Sequence, residues 1–305
     1  MKNFFLQSFL NLLEQKNEVC FLTGDLGFAF LEPIRKALGN RFINAGIAEQ
    51  NMMSVAAGLC RAGMDPWVYS ISPFCYARPF EQVRNDICLH DLPVKIIGSG
   101  GGFGYGLAGP SHHALEDCGV MSSLQNMVVY APSFPEDIPG VLHEMKNSKH
   151  PCYLRLARAE RNLEESEQGI FQPFRRVAQG EKGVVVALGT MASVAMEAND
   201  RLDASSKVSV WACSKMPLTR EIFDNVFVDE LCSAKWVLAL EDHVRVGGLG
   251  EQFASVLMEN NIRVRRYVHR YASGYISGLY GSQDFHRKEN GIDAGSLLQV
   301  VADLG

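Results

Sequence analysis

Short apolar runs recur along the first 160 residues, separated by stretches whose apolar positions fall at helical spacing. "EVCFLTGD", "RFINAGI", "DPWVYSIS", "LPVKIIGS", "NMVVYAPS" and "PCYLRLAR" each predict a strand. Their apolar residues run on without alternating, which is the pattern of strands covered on both faces in a parallel sheet. Between them, helices are expected over 48–62, over 79–90 and in "EDIPGVLHEMKN". Phe5, Phe9, Leu12 and Leu13 place one face of an amphipathic helix at the start of the chain. Residues 161–180, "RNLEESEQGIFQPFRRVAQG", lose the alternation and carry a charge run, as a linker or a crossing hairpin does. A second alternating series then follows, with strands in "GVVVALG", "KVSVWAC", "KWVLALE" and "RVRRYVH" and helices from about Met191, near 219–233 and over 248–260. The expected fold is α/β with two domains, 1–160 and 181–305, each a mostly parallel sheet covered by helices.

Open parallel sheets gather ligands at the carboxyl ends of their strands, so the loops at 23–28, 44–49, 70–78 and 98–113 are where chemistry is sought. The net charge of −5 and the lack of a basic run argue against nucleic-acid binding by phosphate neutralisation. No stretch is long and apolar enough to span a membrane. The 8 cysteines form no C-x-x-C pair and several sit inside apolar runs, so they read as reduced, buried hydrophobes of a cytoplasmic protein.

In "INAGIAEQNMMSVAAGL", Glu49 enters a helix of small residues; it reads either as a first-turn acid favoured by the helix dipole or as a carboxyl presented to a ligand. "GSGGGFGYGLAGPSHH" (98–113) holds more glycine than packing requires, which points to close backbone approach. Its single G-x-G-x-x-G match, Gly104 to Gly109, lacks the following acidic residue of a dinucleotide site. His112 and His113 are adjacent and in a helix diverge, so they do not chelate one metal as an i, i+4 pair does. One of them is a candidate acid, base or donor toward a substrate oxygen; the alternative is a cap on a helix over 113–121. Phe74, Tyr76 and Phe80 cluster beside Arg78 as core plugs or as a stacking surface for a flat heterocycle. Arg155 and Arg158 are either surface charges or a source of one guanidinium for an anionic substrate.

Taken in order, "TGDLG", "NAGIAEQNM", "SPFCYARPFEQVRND", "GPSHHALED" and "LRLAR" resemble the thiamine diphosphate enzymes of the transketolase and deoxyxylulose-phosphate synthase group. The resemblance spans nearly the whole chain, but only the pyrimidine-binding and carboxy-terminal domains of those enzymes. The family's G-D-G motif, which serves diphosphate and magnesium, has no counterpart in the sequence. The resemblance therefore implies a transferase subunit of a split transketolase, needing an N-terminal-section partner for the diphosphate and Mg2+ and forming a heterotetramer with two chains of each kind. It implies transfer of a two-carbon ketol or acyl unit from a ketose or 2-oxo acid to an aldehyde.

By the same resemblance Glu49 bonds a ring nitrogen of the cofactor's aminopyrimidine, which calls for a carboxyl held in an apolar, water-poor place. Phe74 stacks on that ring with Tyr76 and Phe80 beside it, His112 lies near the reacting carbon, and Arg158 binds an acceptor's phosphate, with Arg78 a further substrate contact. Two departures stand out: Ala108 where transketolases carry an Asp, and Gly100 about where they carry another substrate-binding histidine. Both put the usual sugar-phosphate donor in doubt. The competing readings are the beta subunit of a 2-oxo-acid dehydrogenase's decarboxylating component and a non-catalytic assembly subunit.

Overall fold

The computed structural model describes residues 1–13, 18–159, 161–163 and 170–304. Residues 164–169 of the expected linker thus lie outside the described residues. In the first sheet six strands run parallel: β1 (Val19–Thr23), β2 (Phe42–Asn44), β3 (Asp65–Ile71), β4 (Lys95–Ser99), β5 (Val128–Tyr130) and β6 (Cys152–Leu156). The second sheet is built from β7 (Phe174–Ala178), β8 (Val184–Leu188), β9 (Ser209–Cys213), β11 (Val237–Leu240) and β12 (Tyr267–Arg270). Between β9 and β11 the chain crosses back: β10 (Lys215–Met216) pairs antiparallel with β5 and completes a seven-stranded sheet of order β10-β5-β6-β4-β3-β1-β2.

β1, β4, β6, β8 and β9 are buried at every position, as their unbroken apolar runs require. The opening helix, Lys2–Leu13, lays Phe5, Phe9 and Leu12 on the first sheet; the Phe9 ring meets Trp67 of β3 at 5.1 Å and Phe21 of β1 at 5.3 Å. The helix Glu49–Arg61 covers the other face through Met52, Met53, Ala56 and Ala57. Small side chains there let the helix sit close to the sheet, so its first residue is carried to the edge where β1 and β2 end.

Several elements differ from the sequence pattern. Phe174–Ala178, inside the expected linker, is an antiparallel edge strand against β9. The aromatic loop after β3 begins as a short helix, Ser72–Tyr76, and the helix expected over 79–90 is Phe80–Gln82 continued by wider-wound turns over Val83–Cys88. The helix expected from His113 starts only at Asp117, because Ala114 pairs back onto Gly102 through both backbone groups. The helix near 219–233 is Asn225–Ser233, capped by the Asp224 carboxylate on the Phe227 N–H. Two closing helices, Gln283–Glu289 and Ala294–Leu304, are not evident in the pattern. All eight cysteines are unpaired, yet Cys232 is exposed rather than buried. Among the described residues no helix is long and apolar enough to cross a membrane.

Candidate active site

The loops at the carboxyl ends of β1, β2, β3 and β4 converge on Glu49. Asn44, at the end of β2, accepts the Gly46 N–H at 2.9 Å and donates to Asp25 at 3.1 Å, tying the loop after β1 to the turn that enters the helix. Ala48 occupies the N-cap position without a capping side chain, so the Glu49 carboxylate sits at an electropositive helix start. It is only 4% exposed. A buried carboxylate needs a partner, and Arg78 supplies it: Nη1 donates to Glu49 Oε2 at 2.7 Å. The same guanidinium lies over the Phe74 ring, its Cζ 4.0 Å from the centroid.

Phe74 continues the cluster. His112 meets its ring edge-on at 5.6 Å, and Tyr105 meets His112 at 5.8 Å. The His112 Nδ1 lies 2.9 Å from Ser111 Oγ, and among the described residues Nε2 has no partner. Gly100 makes room for Tyr105: with φ at +86°, a Cβ there would stand 2.1 Å from the tyrosine ring. Tyr105 lines a cavity of about 530 Å³ whose wall also carries Lys2, Ser99 and the exposed Arg158.

Beneath this surface the glycine loop rests on a buried ionic junction between the two domains. Arg155 of β6, 2% exposed, reaches Asp117 Oδ2 through Nε at 3.3 Å and Asp242 Oδ1 through Nη1 at 3.0 Å. Asp242 follows β11 and also faces Arg287 at 3.5 Å. Burial opposes its charge, but the two guanidiniums outweigh that and hold its carboxyl below the usual range. Gly102, at φ +61°, passes so close that a Cβ would fall 2.1 Å from Asp242 Oδ2. His113 is locked against the second domain, with Nδ1 2.9 Å from Tyr275 Oη and Nε2 2.8 Å from the Gly106 carbonyl. Burial pushes the imidazoles of His113 and the neighbouring His286 below their ordinary value.

Residues 1–162 match the family model described as transketolase, pyrimidine binding domain. The chain belongs to this transketolase family. It is similar over its full length to one of the chains of an apulose-4-phosphate transketolase from Actinobacillus succinogenes, at 27% identity and covering 98% of that protein. A putative transketolase C-terminal section of Methanocaldococcus jannaschii is 29% identical over 99% of this chain and 95% of its own. Among solved structures, a split-gene transketolase described as an inactive beta4 tetramer superposes with a TM-score of 0.81 at 28% identity, covering 99% of this chain and 96% of that one.

Of the residues singled out in this transketolase-family sequence, the fold brings Glu49, Phe74, Arg78 and His112 into one contact series. Arg158 stands apart on the cavity wall beyond Tyr105. Tyr76 is buried with its hydroxyl donating to Glu116 at 2.9 Å, and burial pushes its phenol well above the ordinary value. Phe80 packs on the hydrophobic core. Of the two readings left open for Arg155 neither holds, since it is a core cation of the domain junction. Sequence reasoning misses Tyr105, because its signal, a large ring in a run of glycines, reads as backbone approach alone. In "EDHVRVGGLGEQ" the anion at the helix start is internal: Glu241 accepts from the N–H groups of Leu249 and Gly250 at 2.7 and 2.9 Å.

Proposed function

We propose that this chain is the pyrimidine-side subunit of a thiamine diphosphate-dependent, transketolase-like transferase. It moves a two-carbon ketol or acyl unit from a ketose or 2-oxo acid to an aldehyde, and does so only with a partner that carries the diphosphate-binding domain. The observation that supports this most is the arrangement at Glu49. A buried carboxylate and an aromatic face together hold one flat, N–H-bearing cation, Arg78, by a 2.7 Å hydrogen bond and a 4.0 Å stack. An aminopyrimidine offers the same flat shape and edge donors, so the chemistry of this donor set fits the group.

When bound, thiamine diphosphate supplies an acidic carbon that adds to a ketone and stabilises the charge left when a carbon–carbon bond breaks. The protein's part is positional. Glu49 holds a proton at the pyrimidine ring nitrogen, and its burial keeps competing water away. Phe74 fixes the plane of the ring. His112, free at Nε2, exchanges a proton with the substrate oxygen next to the reacting carbon. Tyr105 walls the path to the cavity where Arg158 meets an anionic end of the substrate.

The partner follows from what the sequence lacks, a G-D-G motif, and from relatives whose names describe a C-terminal section and a single chain of a multi-chain transketolase. Magnesium and the diphosphate fall to that second chain, in a heterotetramer with two chains of each kind. The unpaired thiols suit a reducing compartment such as the cytoplasm. Reconstitution tests the proposal: the chain is produced alone and together with its N-terminal-section partner, with hydroxypyruvate as donor and glycolaldehyde as acceptor. Ketol transfer that appears only in the complex and only with thiamine diphosphate and Mg2+ is the expected result. Transfer by the isolated chain, or none by a complex that assembles, contradicts it.

A further inference from the structure

We infer that Arg78 occupies the seat of the cofactor's aminopyrimidine in the unloaded chain and must be exchanged for it, so that Arg78 is a positioning residue that sets cofactor affinity. The inference rests on the reading of Glu49 and Phe74 given above. It goes beyond that reading by assigning the guanidinium to the same two surfaces the ring needs.

The geometry leaves one place for two flat groups. A guanidinium is planar, donates from its edge and stacks on aromatic faces, and Arg78 does both at once with Glu49 and Phe74. The carboxylate is 4% exposed, whereas the Arg78 side chain is 42% exposed, so the arginine reaches in from solvent and has a route back out. Glu49 has no such freedom, because it is fixed at the start of the helix Glu49–Arg61.

Removing Arg78 without a replacement would leave Glu49 buried and unpaired, which is costly. A ring that donates to the carboxylate and stacks on Phe74 restores both interactions, so loading is an exchange rather than an addition. Apparent affinity falls by the fraction of molecules whose seat is open. Arg78 thus keeps the carboxylate and the ring preorganised while the seat waits, at some cost in affinity.

The test uses the assembled complex with its partner. Thiamine diphosphate is titrated by calorimetry into wild type, Arg78→Met and Arg78→Lys, with inorganic diphosphate, which needs only the partner's half of the site, as control. Arg78→Met should bind thiamine diphosphate about tenfold more tightly with unchanged binding of inorganic diphosphate, and Arg78→Lys, which lacks the planar fork, should fall between. Equal or weaker cofactor binding by Arg78→Met overturns the inference. A crystal structure of the cofactor-loaded wild-type complex serves if the variants do not assemble: Arg78 must have left the Phe74 face, and its persistence there at 4.0 Å overturns the exchange. Thiamine diphosphate binding no tighter than inorganic diphosphate in wild type and variants alike overturns the reading of the site, and the inference with it.

Discussion

His112 and His113 are neighbours in the chain, yet they belong to different regions of the molecule. His112 is half-buried, meets Phe74 and Tyr105 edge-on, and keeps one ring nitrogen free on the face where Glu49 and Arg78 lie. His113 is 2% exposed, has both ring nitrogens engaged, and stacks on Tyr275 of the second domain at 5.6 Å. The upper region is open and its charges are exchangeable. The lower one, centred on Arg155, is buried and its charges are matched. The glycine loop separates them, and its lack of side chains lets it lie flat on Asp242 while it presents His112 above. Substitutions in the two regions should therefore fail in opposite ways: above, activity is lost from a stable protein; below, stability is lost first.

Arg155→Leu should break the comparison most forcefully. It strands Asp117 and Asp242 as buried carboxylates, and unpairing a buried ion costs about 3–5 kcal/mol, read as a lower urea midpoint. An unchanged midpoint would mean that the junction does not carry the domain contact.

The two histidines sharpen the contrast. His112→Ala should lower turnover of the reconstituted complex about 10²-fold with an unfolding midpoint within about 0.5 kcal/mol of wild type. His113→Ala leaves the Gly106 carbonyl and the Tyr275 hydroxyl without their partner and should cost about 2 kcal/mol of stability. Acid acts on the lower region alone. Because burial holds His113 and His286 below 6.5, the unfolded chain binds more protons than the folded one as pH falls through that range. The stability is whole above 6.5 and declines below it, by up to about 1.4 kcal/mol per pH unit for each proton taken up. Urea midpoints collected from neutral to mildly acid buffer, for wild type and His113→Gln, check this; the variant should lose the smaller share of its stability.

How much of this was legible depended on whether the signal was local. The buried strands announced themselves because a parallel strand covered on both faces must be apolar throughout. Phe174–Ala178 did not, since an edge strand with two arginines is half exposed and reads like linker. The two-residue β10 is too short to leave any pattern. At the site, Glu49, Phe74 and His112 sit in compact motifs that resemblance could align. The partners of Arg155 could not be read the same way: Asp242 lies 87 residues further on, and only the folded junction brings the two together. A charge inside the apolar run "CYLRL" was nonetheless a visible sign that some carboxylate had to meet it. Arg78 reads as a substrate contact from the sequence, because spacing alone cannot show that its guanidinium turns back onto Glu49.

The central claim is that Glu49 activates a coenzyme shared with a second subunit, and Glu49→Gln in the reconstituted complex tests it most directly. Thiamine diphosphate binding and ketol transfer are measured on the same sample. The account predicts that the cofactor is retained while turnover falls about 10²- to 10³-fold, the scale of a lost acid–base group. A complex that holds the cofactor and turns over within about twofold of wild type, far inside that scale, would contradict it.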